Sequence, residues 1–173
     1  MKTPFWCKLT VLPLAFLLDH LTKRWVVQTI PLLTTRPLFP GFLQLTHVEN
    51  RGAAFGMLES AQWLFLAATV VALAVFVWIF ATKRIYGEFG AWALMLVVSG
   101  ALGNFIDRAR QGYVVDMLEF EFIRFAIFNV ADMFITTGGV MLVVYLLFFH
   151  EKLRRRAAPP ISPPEDGPSA DEA

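Results

Sequence analysis

The sequence predicts an all-α integral membrane protein with four transmembrane helices and a small β-rich platform on the outer face. Three observations carry that expectation. Of 173 residues 57% are hydrophobic, with mean hydropathy +0.57, beyond the roughly 45–50% apolar content of ordinary soluble domains. The apolar residues fall into four long blocks. Two stretches between the blocks alternate apolar and polar residues in strand fashion.

The first block, residues 9–27, opens with ten uncharged residues and then carries Asp19, His20, Lys23 and Arg24. Lys2 and Lys8 ahead of it resemble the start of a signal peptide, but no small-x-small cleavage site follows, so a retained helix is expected. Residues 60–82 hold no charge over 23 positions, enough to cross a hydrocarbon core of about 30 Å. Residues 89–106 are uncharged and end in Asp107-Arg108. The fourth block, 125–149, is interrupted by Asn129 and Asp132.

Four spans put both termini on one side. Eight basic residues lie on the terminal side and seven on the other, a near tie, and the basic cluster at 152–156 favours a cytoplasmic terminal side. The expected β-rich loops are 28–59, with Leu43-Gln44-Leu45-Thr46, and 110–124, with Leu118-Glu119-Phe120-Glu121-Phe122. Residues 1–156 therefore form the membrane domain. Residues 157–173 hold five of the ten prolines and no aromatic residue, the composition of a disordered tail.

Composition also excludes. A net charge of +1 gives no basic surface for nucleic acid. The single cysteine, Cys7, can form neither an intrachain disulfide nor a zinc site. His20, His47 and His150 are dispersed, and no serine-elbow, zinc-helix or Cys-x-x-Cys motif is present. Nothing calls for a metal or another cofactor.

The chemistry-bearing residues sit at the edges of the apolar blocks. Asp116 lies in Val114-Val115-Asp116 and Asp132 in Phe128-Asn129-Val130-Ala131-Asp132. Ionisable groups near a bilayer core cost several kcal/mol, about 3 on insertion scales, and so point to function. Two carboxyls sharing a proton can activate water and protonate a leaving group. The plain alternative makes each a helix cap or half of an interfacial ion pair. Gly100, Asn104 and Arg108 recur at i, i+4, i+8 on one helix face, with Gly103 and Asp107 beside them. A packing seam explains the glycines, but a buried Asn104 needs partners. Asp19 and Lys23 have the i, i+4 spacing of a helical ion pair. Asn50-Arg51-Gly52-Ala53-Ala54-Phe55-Gly56 is either a close-approach binding loop or an ordinary turn.

In order along residues 9–149, Asp19…Lys23, Asn50-Arg51-Gly52-Ala53-Ala54-Phe55, Gly100-Ala101-Leu102-Gly103-Asn104-Phe105-Ile106-Asp107-Arg108, Val114-Val115-Asp116 and Phe128-Asn129-Val130-Ala131-Asp132 resemble the five sequence blocks of lipoprotein signal peptidase, also called signal peptidase II. The resemblance implies a multi-pass aspartic protease of the bacterial inner membrane, both termini cytoplasmic and the active site at the outer surface. Its substrates would be prolipoproteins whose cysteine carries diacylglyceryl, cleaved before that cysteine. Asp116 and Asp132 would be the catalytic pair, with Asn104, Arg108 and Asn129 as polar support. Asp19, Lys23, Asn50 and Gly52 would bind substrate or hold the site. Membrane lipid is the other expected partner, and a monomer is expected. The chain departs from the family pattern at Ser99, where a second Gly is frequent, and at Met133, where a small hydroxyl residue is frequent; Thr136 is a candidate to supply that hydroxyl. The alternative from another class is a small proton-coupled transporter with the two aspartates as relay groups, for which paired inverted repeats would be the mark. A structural assembly factor would leave the Asn- and Asp-rich faces unexplained.

Overall fold

A computed structural model describes residues 5–52, 62–82 and 84–157. The stretch 53–56 of the expected binding loop, and the expected tail beyond residue 157, lie outside the described residues. A short helix, α1 (Phe5–Leu9), leads into α2 (Val11–Thr29). Strands β1 (Thr35–Phe39) and β2 (Leu43–Asn50) follow, then α3 (Gln62–Ala81) and α4 (Glu88–Gln111). Strand β3 (Val114–Phe120) precedes α5 (Val130–Val144), a π-helical turn at Tyr145–Phe149 and α6 (His150–Ala157).

Among the described residues, three helices are long and apolar enough to cross a membrane: α3, α4 and the continuous helix Val130–Leu153. The first expected block forms α2 over 19 residues, but Asp19, Lys23 and Arg24 leave it too charged to meet the same measure. Asp19 and Lys23 are turned inward and buried, while Arg24 is exposed along with Leu14, Leu17, Leu21 and Trp25. The fourth block starts later than expected. Residues 125–129 are not helical, and Phe128 instead pairs with Leu118 beside β3. The third helix runs on past 106 to Gln111, so Asp107 and Arg108 stay helical. Gly112, at φ +79°, ends it.

Glycine sets how closely α4 and α5 approach. A Cβ on Gly100 would lie 2.3 Å from the Ala131 carbonyl oxygen, and one on Gly138 would lie 2.7 Å from that of Ala93. Small residues allow such contact between membrane helices. At the far end, a Cβ on Gly90 would meet the Tyr145 ring at 2.8 Å, and the Tyr86 N–H donates to the Tyr145 hydroxyl at 2.7 Å. Helix α3 is different: it has no fully buried residue. A helix apolar on every side suits lipid rather than water.

The three strands form one antiparallel sheet in the order β1-β2-β3. Alternation along β3 divides its side chains. Val115 and Met117 are buried with Val26, Ile30 and Leu45, joining the sheet to the end of α2. Asp116 points the other way. Its register partner is Val48, and Asn50 pairs with Val114, which makes Asn50 and Asp116 diagonal neighbours on one face. An irregularity between Leu45 and Val48 sets two β2 residues, Thr46 and His47, against one of β3, Met117, the geometry of a bulge. Buried His47 lies there, its Nδ1 2.7 Å from the Ile30 carbonyl oxygen.

The glycine contacts give a paired test. Gly100→Ala should destabilise the protein by about 1–3 kcal/mol, the usual cost of overpacking, because its obstacle is backbone. At Gly139 an added Cβ would have nothing within 4 Å. That position should accept Ala without loss and gain up to about 1 kcal/mol from helix propensity. Unfolding midpoints in detergent micelles read both.

Candidate active site

The site begins at the first turn of α5, where helix geometry leaves backbone N–H groups without partners. Asn129 is the N-cap: its Oδ1 accepts from Asp132 N at 3.0 Å, and Asn129 N donates to Asp132 Oδ2 at 3.1 Å. This is a capping box with Asp in the place of the usual Glu. A third N–H, that of Ala131, donates to Asp19 Oδ1 of α2 at 2.9 Å. Asp19 reaches it across Gly103, where a Cβ would lie 3.0 Å from Asp19 Oδ2. The plain capping reading of Asp132 is thus correct as far as it goes. The same residue also lines a cleft.

That cleft, about 510 Å³, lies between β3, the end of α4 and the start of α5. Asp116 and Asp132 both line it, with Asn50, Asn104, Arg108 and Asn129. Asn129 Nδ2 donates to Asp116 Oδ1 at 2.6 Å, and Asn50 Nδ2 donates to Asp116 Oδ2 at 2.8 Å. Asn104 Nδ2 donates to Asp132 Oδ1 at 2.7 Å. Each of the four carboxyl oxygens therefore accepts one N–H.

Behind this layer stands Lys23. Its ammonium donates to Asp19 Oδ2 and Asp107 Oδ2, both at 2.7 Å, and to Asn104 Oδ1 at 3.0 Å. Asn104 Oδ1 also accepts from Asn129 Nδ2 at 3.3 Å. On the other side, Gly52 N donates to Asn50 Oδ1 at 2.9 Å, and Arg108 Nη2 donates to the Gly52 carbonyl at 3.1 Å. All nine residues singled out from the sequence, Asp19, Lys23, Asn50, Gly52, Asn104, Arg108, Asp116, Asn129 and Asp132, fall in one continuous hydrogen-bonded chain. Asp107, seen in sequence only as a neighbour of the helix face, proves to be a direct partner of Lys23. Its signal was its place one turn beyond Asn104, at the end of an otherwise apolar helix. Thr136 and Met133 line the cleft too, but Thr136 makes no hydrogen bond to Asp132 among the described residues. Ser99 is buried and donates to the Met95 carbonyl at 2.7 Å, so its hydroxyl is used within its own helix.

Burial pushes the Asp116 carboxyl up to about 6; the Asn50 and Asn129 amides act against the rise, and the Asp132 charge adds to it. Its proton is held more tightly in the folded chain than in the unfolded one. The stability it contributes is present below about pH 4 and fades as pH rises through about 6.

This arrangement has known relatives. The family model described as signal peptidase (SPase) II matches residues 11–148. The chain belongs to the signal peptidase II family. Lipoprotein signal peptidases of Streptococcus pyogenes serotypes M6 and M5 are each 44% identical over 133 residues, covering 76% of this chain and 88% of theirs. Two solved structures, each titled as a bacterial membrane enzyme, superpose with TM-scores of 0.80 and 0.78 at 29% and 31% identity. They cover 93% and 86% of this chain, and the match takes in 98% and 97% of theirs. As a signal peptidase II the protein is an aspartic endopeptidase of the bacterial membrane that processes prolipoproteins. That membership sets aside the transporter alternative.

The Asn50 amide can be tested without any substrate. Its N–H favours the charged form of Asp116, so Asn50→Ala should raise the pH at which Asp116 loses its proton. The expected rise is about one pH unit, from the worth of a hydrogen bond to a charged group. Carbon-13 NMR of aspartate-labelled protein reads the midpoint. An unchanged or lower midpoint would mean that Asn50 does not serve Asp116.

Proposed function

We propose that Asp116 and Asp132 are the catalytic pair and that the substrate is a prolipoprotein whose cysteine already carries diacylglyceryl, cut just before that cysteine. The observation that carries this is the cleft itself: two carboxyls line it, each oxygen supported by one N–H. Water held between the carboxyls attacks the carbonyl carbon of the scissile bond. The ionised carboxyl takes the water proton while the other gives its proton to the carbonyl oxygen. Collapse of the tetrahedral adduct breaks the C–N bond, and a proton passes to the leaving amine. The signal peptide leaves with a new carboxyl end and the lipidated cysteine with a free amino group. Either carboxyl can start as the ionised one, so neither role belongs to one residue alone.

Charge balance supports a retained proton. The network holds two cations, Lys23 and Arg108, against four carboxyls, Asp19, Asp107, Asp116 and Asp132. A proton on the pair lowers the excess of negative charge. Asn104, Arg108 and Asn129 support the pair, Asp19 and Lys23 hold the helices that carry it, and Asn50 and Gly52 border the entry for substrate.

The same reading makes α2 a fourth span. Asp19 and Lys23 turned inward and leucines turned outward support this. Both termini are then cytoplasmic and the cleft opens at the outer surface of the inner membrane. The basic residues of α6 fit the cytoplasmic side. Residues 1–156 are the peptidase domain, and a monomer suffices because the hydrogen-bonded chain is built from one polypeptide.

Asp116→Asn and Asp132→Asn should each slow single-turnover cleavage of a lipidated precursor by at least about 10²–10⁴. The double variant should be little worse than either single one, because groups acting as a unit are not additive. Substantial cleavage by either single variant would end this assignment.

Orientation is read separately. Reporters fused after Gly41 and Arg110 should lie outside, and those fused after Lys83 and Arg156 inside. An inside signal at Gly41 would reverse the membrane placement.

A further inference from the structure

Hydroxyl groups on membrane helices normally turn back to their own backbone, and among the described residues this protein follows that habit with two exceptions. Thr22, Thr29, Thr69 and Thr82 each donate to the carbonyl four residues earlier, at 2.7–2.9 Å, as does Ser99. Thr10 and Thr34 donate to the carbonyl three residues earlier, and Thr35 and Thr46 are bonded within the sheet. Thr136 and Thr137 alone make no hydrogen bond among the described residues. Both are exposed, and both line the cleft that holds the two aspartates.

Their position is fixed by α5. They lie four and five residues beyond Asp132, about 6 and 7.5 Å along the helix axis, on the membrane side of the carboxyl pair. A free hydroxyl in apolar surroundings costs free energy unless a partner arrives, and the local carbonyl partner that the other helical threonines use has been passed over.

We propose that Thr136 and Thr137 form a binding subsite that donates hydrogen bonds to the ester carbonyls of the substrate's diacylglyceryl group. This rests on the substrate reading above and gives that substrate a second point of recognition. The chemistry matches: esters accept hydrogen bonds and cannot donate them, and a threonine hydroxyl can donate. The reach matches as well. From the scissile carbon through nitrogen, Cα, Cβ, sulfur and two glyceryl carbons to the ester carbonyl carbon is about eight bonds, and at about 1.2 Å of progress per bond that spans at most about 10 Å. An ester carbonyl can therefore lie about 6–8 Å below the carboxyls, level with the two threonines, while the peptide bond sits across the pair.

The test uses full-length enzyme and two synthetic precursor peptides, one with a diacyl glyceryl thioether on cysteine and one with the dialkyl ether analogue of equal chain length. The ether form keeps the apolar chains and removes the carbonyls. Wild-type enzyme should show a KM about tenfold lower for the ester peptide, with similar kcat for both. The Thr136→Val/Thr137→Val variant should lose that preference, and the Thr136→Ser/Thr137→Ser variant should keep it. No preference in the wild type would overturn the inference. So would an equal loss on both peptides in the Val variant, which would direct the hydroxyls to a peptide carbonyl. Failure of the wild type to cleave either peptide would overturn the substrate reading itself, and this subsite with it.

Discussion

Lys23 is one ammonium among three oxygens, and three helices depend on it. It draws Asp107 and Asn104 of α4 toward α2, and through Asp19 it reaches the first turn of α5. Burying an ion pair rarely adds net stability, because desolvation offsets the attraction. What it supplies is order. With Asn104 Oδ1 turned to the ammonium, the Asn104 amide nitrogen must face Asp132. With Asn129 Oδ1 capping α5, its nitrogen must face Asp116. Neither amide can flip without setting donor against donor or acceptor against acceptor. The direction of the Asn104 bond to Asp132 thus follows from one cation, that of the Asn129 bond to Asp116 from the cap of α5, and that of the Asn50 bond from the Gly52 N–H.

The sheet contributes the other half. Helices alone present Asp132, Asn104 and Arg108. Asp116 comes from β3, whose alternation sends Val115 and Met117 into the junction with α2 and leaves Asp116 on the cleft side. The bulge between Leu45 and Val48 brings Asn50 onto that side. A uniform strand would have shifted it to the opposite face. The platform is therefore part of the site and not an ornament on a bundle.

Much of this was legible in one dimension. Apolar length located α3, α4 and α5 because lipid imposes a minimum run. Helical spacing put Asn104 and Arg108 on a shared face, and Asn129 three residues ahead of Asp132 is a capping signature that the structure bears out. Other features were hidden for physical reasons. The bond between Lys23 and Asp107 joins residues 84 apart in sequence, and no local period encodes it. The start of α5 at Val130 rather than near 125 depends on Phe128 pairing with Leu118, a contact across the fold. The inward turn of Asp19 and Lys23 needed α2's neighbours in place to be seen, since charge count alone makes that helix look too polar for lipid.

The hydrogen bonds already held by the carboxyls bear on pharmacology. A compound that competes for the cleft meets oxygens that each already hold one N–H, so it must supply short donors or accept whatever proton the pair carries. Resistance by substitution at this wall is narrow. Asn50, Asn104 and Asn129 each hold a second partner, Gly52, Lys23 and the α5 backbone in turn. A change that repels the compound there also loosens the enzyme, which leaves the apolar rim formed by Phe125, Ile127 and Met133 as the freer ground for escape.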